Sequence, residues 1–168
     1  MILYWHHQFD WTRSAALARQ AADLYLKAGA DHLAANGIQL QAANIIEQAN
    51  EAGQNDSNSE APKTAALFNQ ALELFHRALQ AQQELGFSYD VARITNNIGM
   101  TYYYMGQLDS ASSYFREAAD WYRAHDEWQD EIYPLYNLAT IDFDRDNLIK
   151  AASWYQRAID NWPPGKMP

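Results

Sequence analysis

Steps of 40 residues lay much of this chain over itself without a gap. Ala71, Ala111 and Ala151 share one register, as do Phe75, Phe115 and Tyr155, and as do Ala78, Ala118 and Ala158. Phe68, Leu108 and Leu148 extend the match upstream, and Leu74, Tyr114 and Trp154 hold a further large apolar position. A unit recurring at such a period cannot bury its apolar face alone and must stack on its neighbours. Stacked repeats expose extended surface, so the repeat points to binding before any single residue does.

Apolar residues recur at helical spacing through most of the chain, while β-branched residues are too scarce and alternation too poor for strands. From Asp10, the positions Ala15, Ala18, Ala21, Ala22 and Tyr25 outline a helix ending near Gly29, and a second runs from about Asp31 to Ala52. Further helices are predicted at 64–86, 88–105, 107–126, 131–145 and 147–162, punctuated by Gly86, Gly106 and Asp146-Asn147. Pro134 belongs in a first turn, which places the start of the sixth helix close to it. The stretch Gly53–Pro62 gathers Gly, Asn, Asp, Ser and Pro with almost no apolar content and is predicted to be a mobile loop.

Composition narrows the partner. With 21 acidic against 12 basic residues the net charge is -9, which disfavours nucleic acid and anionic membrane as ligands. The absence of cysteine removes disulfide scaffolds, thiolate metal sites and cysteine nucleophiles. Met1–Trp11 is broken by His6, His7, Gln8 and Asp10, so it lacks a signal peptide's apolar stretch, and the chain is read as cytoplasmic.

The second half carries a pattern with a name. Asn97-Ile98-Gly99-Met100-Thr101-Tyr102, then Ala111-x3-Phe115 and Ala118, resembles the tetratricopeptide repeat; Asn137-Leu138-Ala139, Ala151-x3-Tyr155, Ala158 and Pro163 resemble it again. Small residues at Gly99, Ala111, Ala118, Ala139, Ala151 and Ala158 would let antiparallel helices approach closely, with Tyr102, Phe115 and Tyr155 filling the seams. Over 11–52 the match thins. Aligning Gly29 with Gly86 sets Ala42 at the Gly99 position and Ala18 where an aromatic is expected. The period exceeds the family's usual 34 or so, so the second helix of each pair is expected to be longer, as in repeats of kinesin light chains, bacterial signalling-peptide receptors and caspase-like peptidases. The resemblance implies an all-α, right-handed α-solenoid of antiparallel helix pairs, with about seven helices in one domain. Residues 11–29 form the second helix of an incomplete unit, 31–86 a unit with the inserted loop 53–62, and 88–126 and 128–163 two further units. The chain is expected to belong to a larger protein.

In such repeats the first helix of each pair lines a concave groove. Carried over, the groove residues are Arg93, Asn96, Asn97, Met100, Tyr103 and Tyr104, then Tyr133, Tyr136, Asn137 and Thr140, with Phe143 and Asp144 beyond. Asn36, Gln39, Leu40, Ala43 and Glu47 would be the earlier unit's share. Asparagine amides both donate and accept, so Asn97 and Asn137, one period apart, can hold the backbone of an extended peptide without reading its sequence. The clamp by which related repeats grip a C-terminal carboxylate needs several cations, and Arg93 stands alone. The expected function is therefore a non-enzymatic protein–protein interaction scaffold for a protein or peptide ligand. The alternative is a self-associating or regulatory module docking on an effector domain or stacking end to end.

Other chemistry is thin. Asp142-x-Asp144-x-Asp146 imitates a calcium loop but has Asn147 for the glycine and Ser153 for the glutamate, and reads as a solvated turn. His6-His7 and His125-Asp126-Glu127 make no ligand pair at helical spacing. Neither a catalytic residue, a metal nor a cofactor is expected. The repeat register itself is testable. Replacing Ala111 with Leu should overpack a helix contact and cost about 1–3 kcal/mol, seen as a lowered thermal midpoint; an unchanged midpoint would mean the register is wrong.

Overall fold

The computed structural model describes residues 10–55 and 61–161. They form seven helices: α1 (Trp11–Lys27), α2 (Asp31–Asn55), α3 (Ala61–Leu85), α4 (Ser88–Tyr104), α5 (Leu108–Ala124), α6 (Trp128–Asp144) and α7 (Leu148–Asp160). There is no strand among the described residues. The chain divides into two compact units, Met1–Leu74 and Phe75–Pro168, the boundary falling inside α3. None of the described helices is long and apolar enough to cross a membrane.

From α4 onward one module recurs every 20 residues. The helices α4, α5 and α6 are each 17 residues long, separated by three-residue turns. Each turn holds its middle residue at positive φ: Gly106 at 72°, Asp126 at 59° and Asp146 at 59°, preceded by Gly86 at 76° where α3 ends. That residue lets the next amide reach back to the last turn. Phe87, Gln107, Glu127 and Asn147 N–H groups donate to the carbonyls of Gln82, Tyr102, Tyr122 and Asp142, at 2.8–3.0 Å. These are the capping bonds of a left-handed helix terminus, and they satisfy carbonyls that would otherwise be orphaned. Aspartate tolerates this conformation better than most residues with a Cβ.

Several sequence expectations change here. The extra length of the 40-residue period is shared equally between α4 and α5, not given to the second helix; two paired helices bury most when their lengths match. The sixth helix starts at Trp128, so Pro134 sits two turns in, fully buried. α2 continues to Asn55 and α3 begins at Ala61, so Gly53–Asn55 and Ala61–Pro62 are helical and not loop. Both are 25 residues long, which absorbs the offset between the early and late repeats. The rest of the expected loop (56–60) lies outside the described residues, as do His6-His7, most of Met1–Trp11, Trp162 and Pro163.

In the first unit α1 packs on α2 through small residues, with Ala15, Ala18 and Ala22 buried. The closest approach is at Gly37, where a Cβ would stand 2.9 Å from that of Ala22. Alanine at position 18 thus fits a pair of helices with no room for an aromatic. The glycine doing the work of Gly99 is Gly37, not a residue at the aligned Ala42.

In the second unit Ala111, Phe115, Leu138 and Ile141 form a core joining α5 and α6, flanked by Met100, Tyr102 and Trp154. Ala92, Ala118 and Tyr122 form another, against Trp121. Two buried carboxylates fasten α6 to its neighbours. Arg157 and Asn161 each donate to Glu131 at 2.6 Å, with Arg123 at 3.4 Å. Asp142, expected in a solvated turn, is 3% exposed and accepts from Trp154 Nε1 at 2.8 Å and Lys150 Nζ at 3.0 Å. These donors hold its carboxyl below the usual range although burial pushes the other way.

Two glycines separate two kinds of constraint. A Cβ on Gly99 would lie 2.8 Å from the fully buried Phe115 ring. Gly99→Ala gains about 1 kcal/mol of helix propensity but forces a core ring to move, at about 1–3 kcal/mol, so it should destabilise. Gly106→Ala meets no atom within 4 Å and should cost about 1 kcal/mol from backbone strain alone. Thermal melts of both, with a Phe115→Leu background restoring only Gly99→Ala, check the distinction.

Candidate functional site

On α4, Arg93, Asn96, Asn97 and Met100 recur at i, i+3, i+4 and i+7 and are all half-buried. The buried face of the helix is Ala92, Ile94, Thr95, Ile98 and Gly99, so the stripe beside it is left facing a channel. On α6, Pro134, Leu135, Leu138, Ala139 and Ile141 turn into the core, leaving Tyr133 and Tyr136 64% and 57% exposed. The two stripes face one cavity of about 660 Å³ within the second unit. Seven of the expected groove residues line it: Arg93, Asn96, Asn97, Met100, Tyr133, Tyr136 and Asn137.

The other three lie one turn further along the same helix faces. The Tyr103 hydroxyl donates to Asp144 at 2.8 Å across the gap between α4 and α6. Tyr104 is 40% exposed and meets the Tyr103 ring edge to face. Thr140 turns its hydroxyl back to the Tyr136 carbonyl at 3.1 Å. In the first unit Gln39 departs from expectation: it is 4% exposed and belongs to the interior, while Asn36 pairs with His32 at 3.2 Å.

Three cavity residues were missing from the sequence reading: Tyr122, Asp130 and Ile132. Tyr122 comes from α5, a second helix, and forms part of the cavity wall between the two first helices. Its spacing held the clue, since it lies seven residues past Phe115 on the same α5 face. Burial pushes its phenol pKa well up. Asp130 receives a hydrogen bond from Tyr89, whose pKa is raised by burial first and by that bond second. Arg93 is ion-paired with Asp90 one turn before it.

The asparagines are arranged differently from a simple ladder. Asn137 Nδ2 donates to Asn96 Oδ1 at 3.3 Å, so the touching pair is 41 residues apart, like Tyr103 and Asp144. Asn97, the period-mate of Asn137, has no side-chain hydrogen bond among the described residues. One amide donor of Asn137 is thus spent on its neighbour. Its carbonyl oxygen, the Asn96 amide nitrogen and the Asn97 amide remain as donors and acceptors along the channel.

The DxDxD residues go separate ways: the Asp142 carboxylate bonds Trp154 and Lys150, that of Asp144 bonds Tyr103, and Asp146 supplies the left-handed backbone of the turn. His125 stacks on Trp121 at 4.0 Å, its Nδ1 2.8 Å from the Trp121 carbonyl. Neither group converges on a common centre.

The Tyr103 phenol is pushed up to about 12, by burial first and by its bond to Asp144 second. A phenol whose folded pKa lies above its unfolded value of about 10 contributes stability that is present below pH 10 or so and is lost as pH rises towards 12. Phenolate absorbance of Tyr103→Phe subtracted from that of the wild type should show this late titration, and Asp144→Asn should move it earlier; a Tyr103 titrating near its ordinary value would show that the α4–α6 tie does not form.

Comparison with known proteins bears on the fold. Residues 65–124 match the family described as Tetratricopeptide repeat. A Rap protein complexed with competence and sporulation factor is similar in structure, with TM-score 0.73 and 22% identity over 90% of this chain and 38% of the Rap chain. The chain therefore spans well under half of that protein's length. BtubC (BKLC) from P. vanneervenii is similar with TM-score 0.54 and 18% identity, over 95% of this chain and 78% of the other. None of the curated proteins matches in sequence. What these comparisons support is a helical-repeat fold of tetratricopeptide type.

Proposed function

We propose, for a chain whose residues 65–124 are tetratricopeptide repeat, that the channel between α4 and α6 takes an extended peptide segment of a partner protein, and that the chain acts by binding and not by catalysis. The observation that carries this is the pairing of half-satisfied amides with exposed aromatics around one channel. Asn96, Asn97 and Asn137 keep backbone-type donors and acceptors facing the channel, and Tyr133 and Tyr136 present large apolar area beside them. Amides match the peptide unit and aromatics bury its side chains, which is what a groove binding an extended chain needs. The similar Rap protein is complexed with competence and sporulation factor, a partner held by a related fold. Exposed tyrosine contributes contact area at low entropy cost, so it adds affinity without demanding one sequence.

The test is a panel of extended peptides titrated against wild type, Asn97→Ala/Asn137→Ala and Tyr136→Ala. Peptides that bind the wild type should lose about 0.5–1.5 kcal/mol per asparagine removed and more for Tyr136→Ala, with melting midpoints nearly unchanged because these side chains are not core. Variants that bind as well as the wild type, or that unfold, would sink the groove reading.

A further inference from the structure

The most buried residue lining the α4–α6 channel is a phenol with nothing to bond. Tyr122 is 3% exposed, and its ring packs edge to face on Tyr89 and Trp121, at centroid distances of 5.9 and 5.6 Å. It nonetheless lines the cavity, and its hydroxyl has no hydrogen-bond partner among the described residues. A buried phenol normally finds a partner, because an unbonded hydroxyl has lost its hydration for nothing. One that opens onto a cavity is free to take its partner from a ligand.

The charges around that hydroxyl are unequal. Those acting most strongly on Tyr122 and on the adjoining Tyr89 are Asp90, Arg93, Glu127 and Asp130, three carboxylates against one guanidinium. Arg93 is already paired with Asp90, and Arg123, one residue past Tyr122, is taken by Asp120 and Glu131. Asp130 lines the same cavity as Tyr122. Among the described residues its carboxylate is met only by the Tyr89 phenol. A carboxylate has room for about four donors, so most of its accepting capacity is open.

We propose that this end of the channel is a subsite for a positively charged group of the bound peptide, an ammonium or guanidinium that donates to the Asp130 carboxylate and the Tyr122 hydroxyl together. This rests on the peptide channel proposed above and adds the one charge its ligand carries. Both groups offer several N–H donors and no acceptor, so one group can serve two acceptors at once. The cation also balances the surplus carboxylate, which an anionic or neutral ligand group leaves uncompensated. A half-buried pair of this kind is screened less than one on open surface. The same chemistry is found in a Lys or Arg side chain and in a free peptide N-terminus.

Short random peptides selected on the immobilised protein supply the probe. The strongest binders are resynthesised with each Lys or Arg replaced by norleucine, and with a free or an acetylated N-terminus, then titrated calorimetrically into wild type, Asp130→Asn, Tyr122→Phe and Glu117→Gln. Removing one particular cation should weaken binding to the wild type about tenfold or more, but to Asp130→Asn no more than about twofold. Whether the norleucine or the acetylated form loses affinity identifies the source of that cation. Tyr122→Phe keeps the ring and removes only the unbonded hydroxyl, so it should melt like the wild type and bind about two- to tenfold more weakly. Glu117→Gln neutralises a carboxylate at an exposed α5 position and should bind like the wild type; a loss equal to that of Asp130→Asn would mean that net charge and not this subsite attracts the cation. Peptides that bind the wild type equally well without any cation overturn the subsite and leave the peptide channel standing. A wild type that selects no peptide overturns both.

Discussion

Everything in the second unit hangs on one backbone constraint: a residue at positive φ every 20 positions, at Gly86, Gly106, Asp126 and Asp146. Each ends a helix within two residues and sends the chain back, after a two-residue turn at Gly86 and three-residue turns at the other three. Because the turns are alike and the helices are equally long, the apolar faces arrive in register, and Phe115 can lie across Gly99 at a distance no Cβ would permit. Two of the four positions carry aspartate, so the constraint is stronger than the glycine pattern alone indicates.

That register also decides what the groove can be. Neighbouring first helices touch through side chains 41 residues apart, Asn96 with Asn137 and Tyr103 with Asp144. Asn97 and Asn137, a full period apart, hold equivalent places in their repeats, yet the residue Asn137 bonds is Asn96. The channel is therefore tied at two places along its length, and the amides left over point along it. Tyr122, from the second helix, contributes to the same cavity. A rigid channel of this kind loses little entropy on binding, which favours a ligand that must itself become ordered.

The two buried carboxylates of α6 show how acidic composition coexists with a close-packed core. Glu131 and Asp142 are each met by a cation and a neutral donor from α7. Burial raises the Glu131 pKa even against its partners, whereas the donors win at Asp142. Both charges point into the protein, so the surface is less acidic around α7 than the sequence alone implies.

Helical class, the 40-residue repeat, the small residues at Ala71, Ala111 and Ala118 and most of the lining of the α4–α6 cavity were legible in the sequence, because helical spacing and burial act locally and repeat with the chain. The stripe Arg93, Asn96, Asn97 and Met100 needs only 3.6-residue periodicity to be read. The tertiary structure alone decided the rest. Which asparagine meets which depends on the stagger of neighbouring helices, a sub-turn offset that no period encodes. The use of Gly37 and not Ala42 at the α1–α2 contact, the inward turn of Gln39, the burial of Asp142 and the presence of Tyr122 in the cavity all follow from how closely particular helices approach. The loop expected at 53–62 failed at its flanks because α2 and α3 extend into it, context outweighing the local preference of Gly53 and Pro62 for turns. Pro134 was misjudged for a related reason: the helix around it is held by packing on both sides, and the loss of one backbone hydrogen bond is small against the burial of Leu135, Leu138 and Ile141.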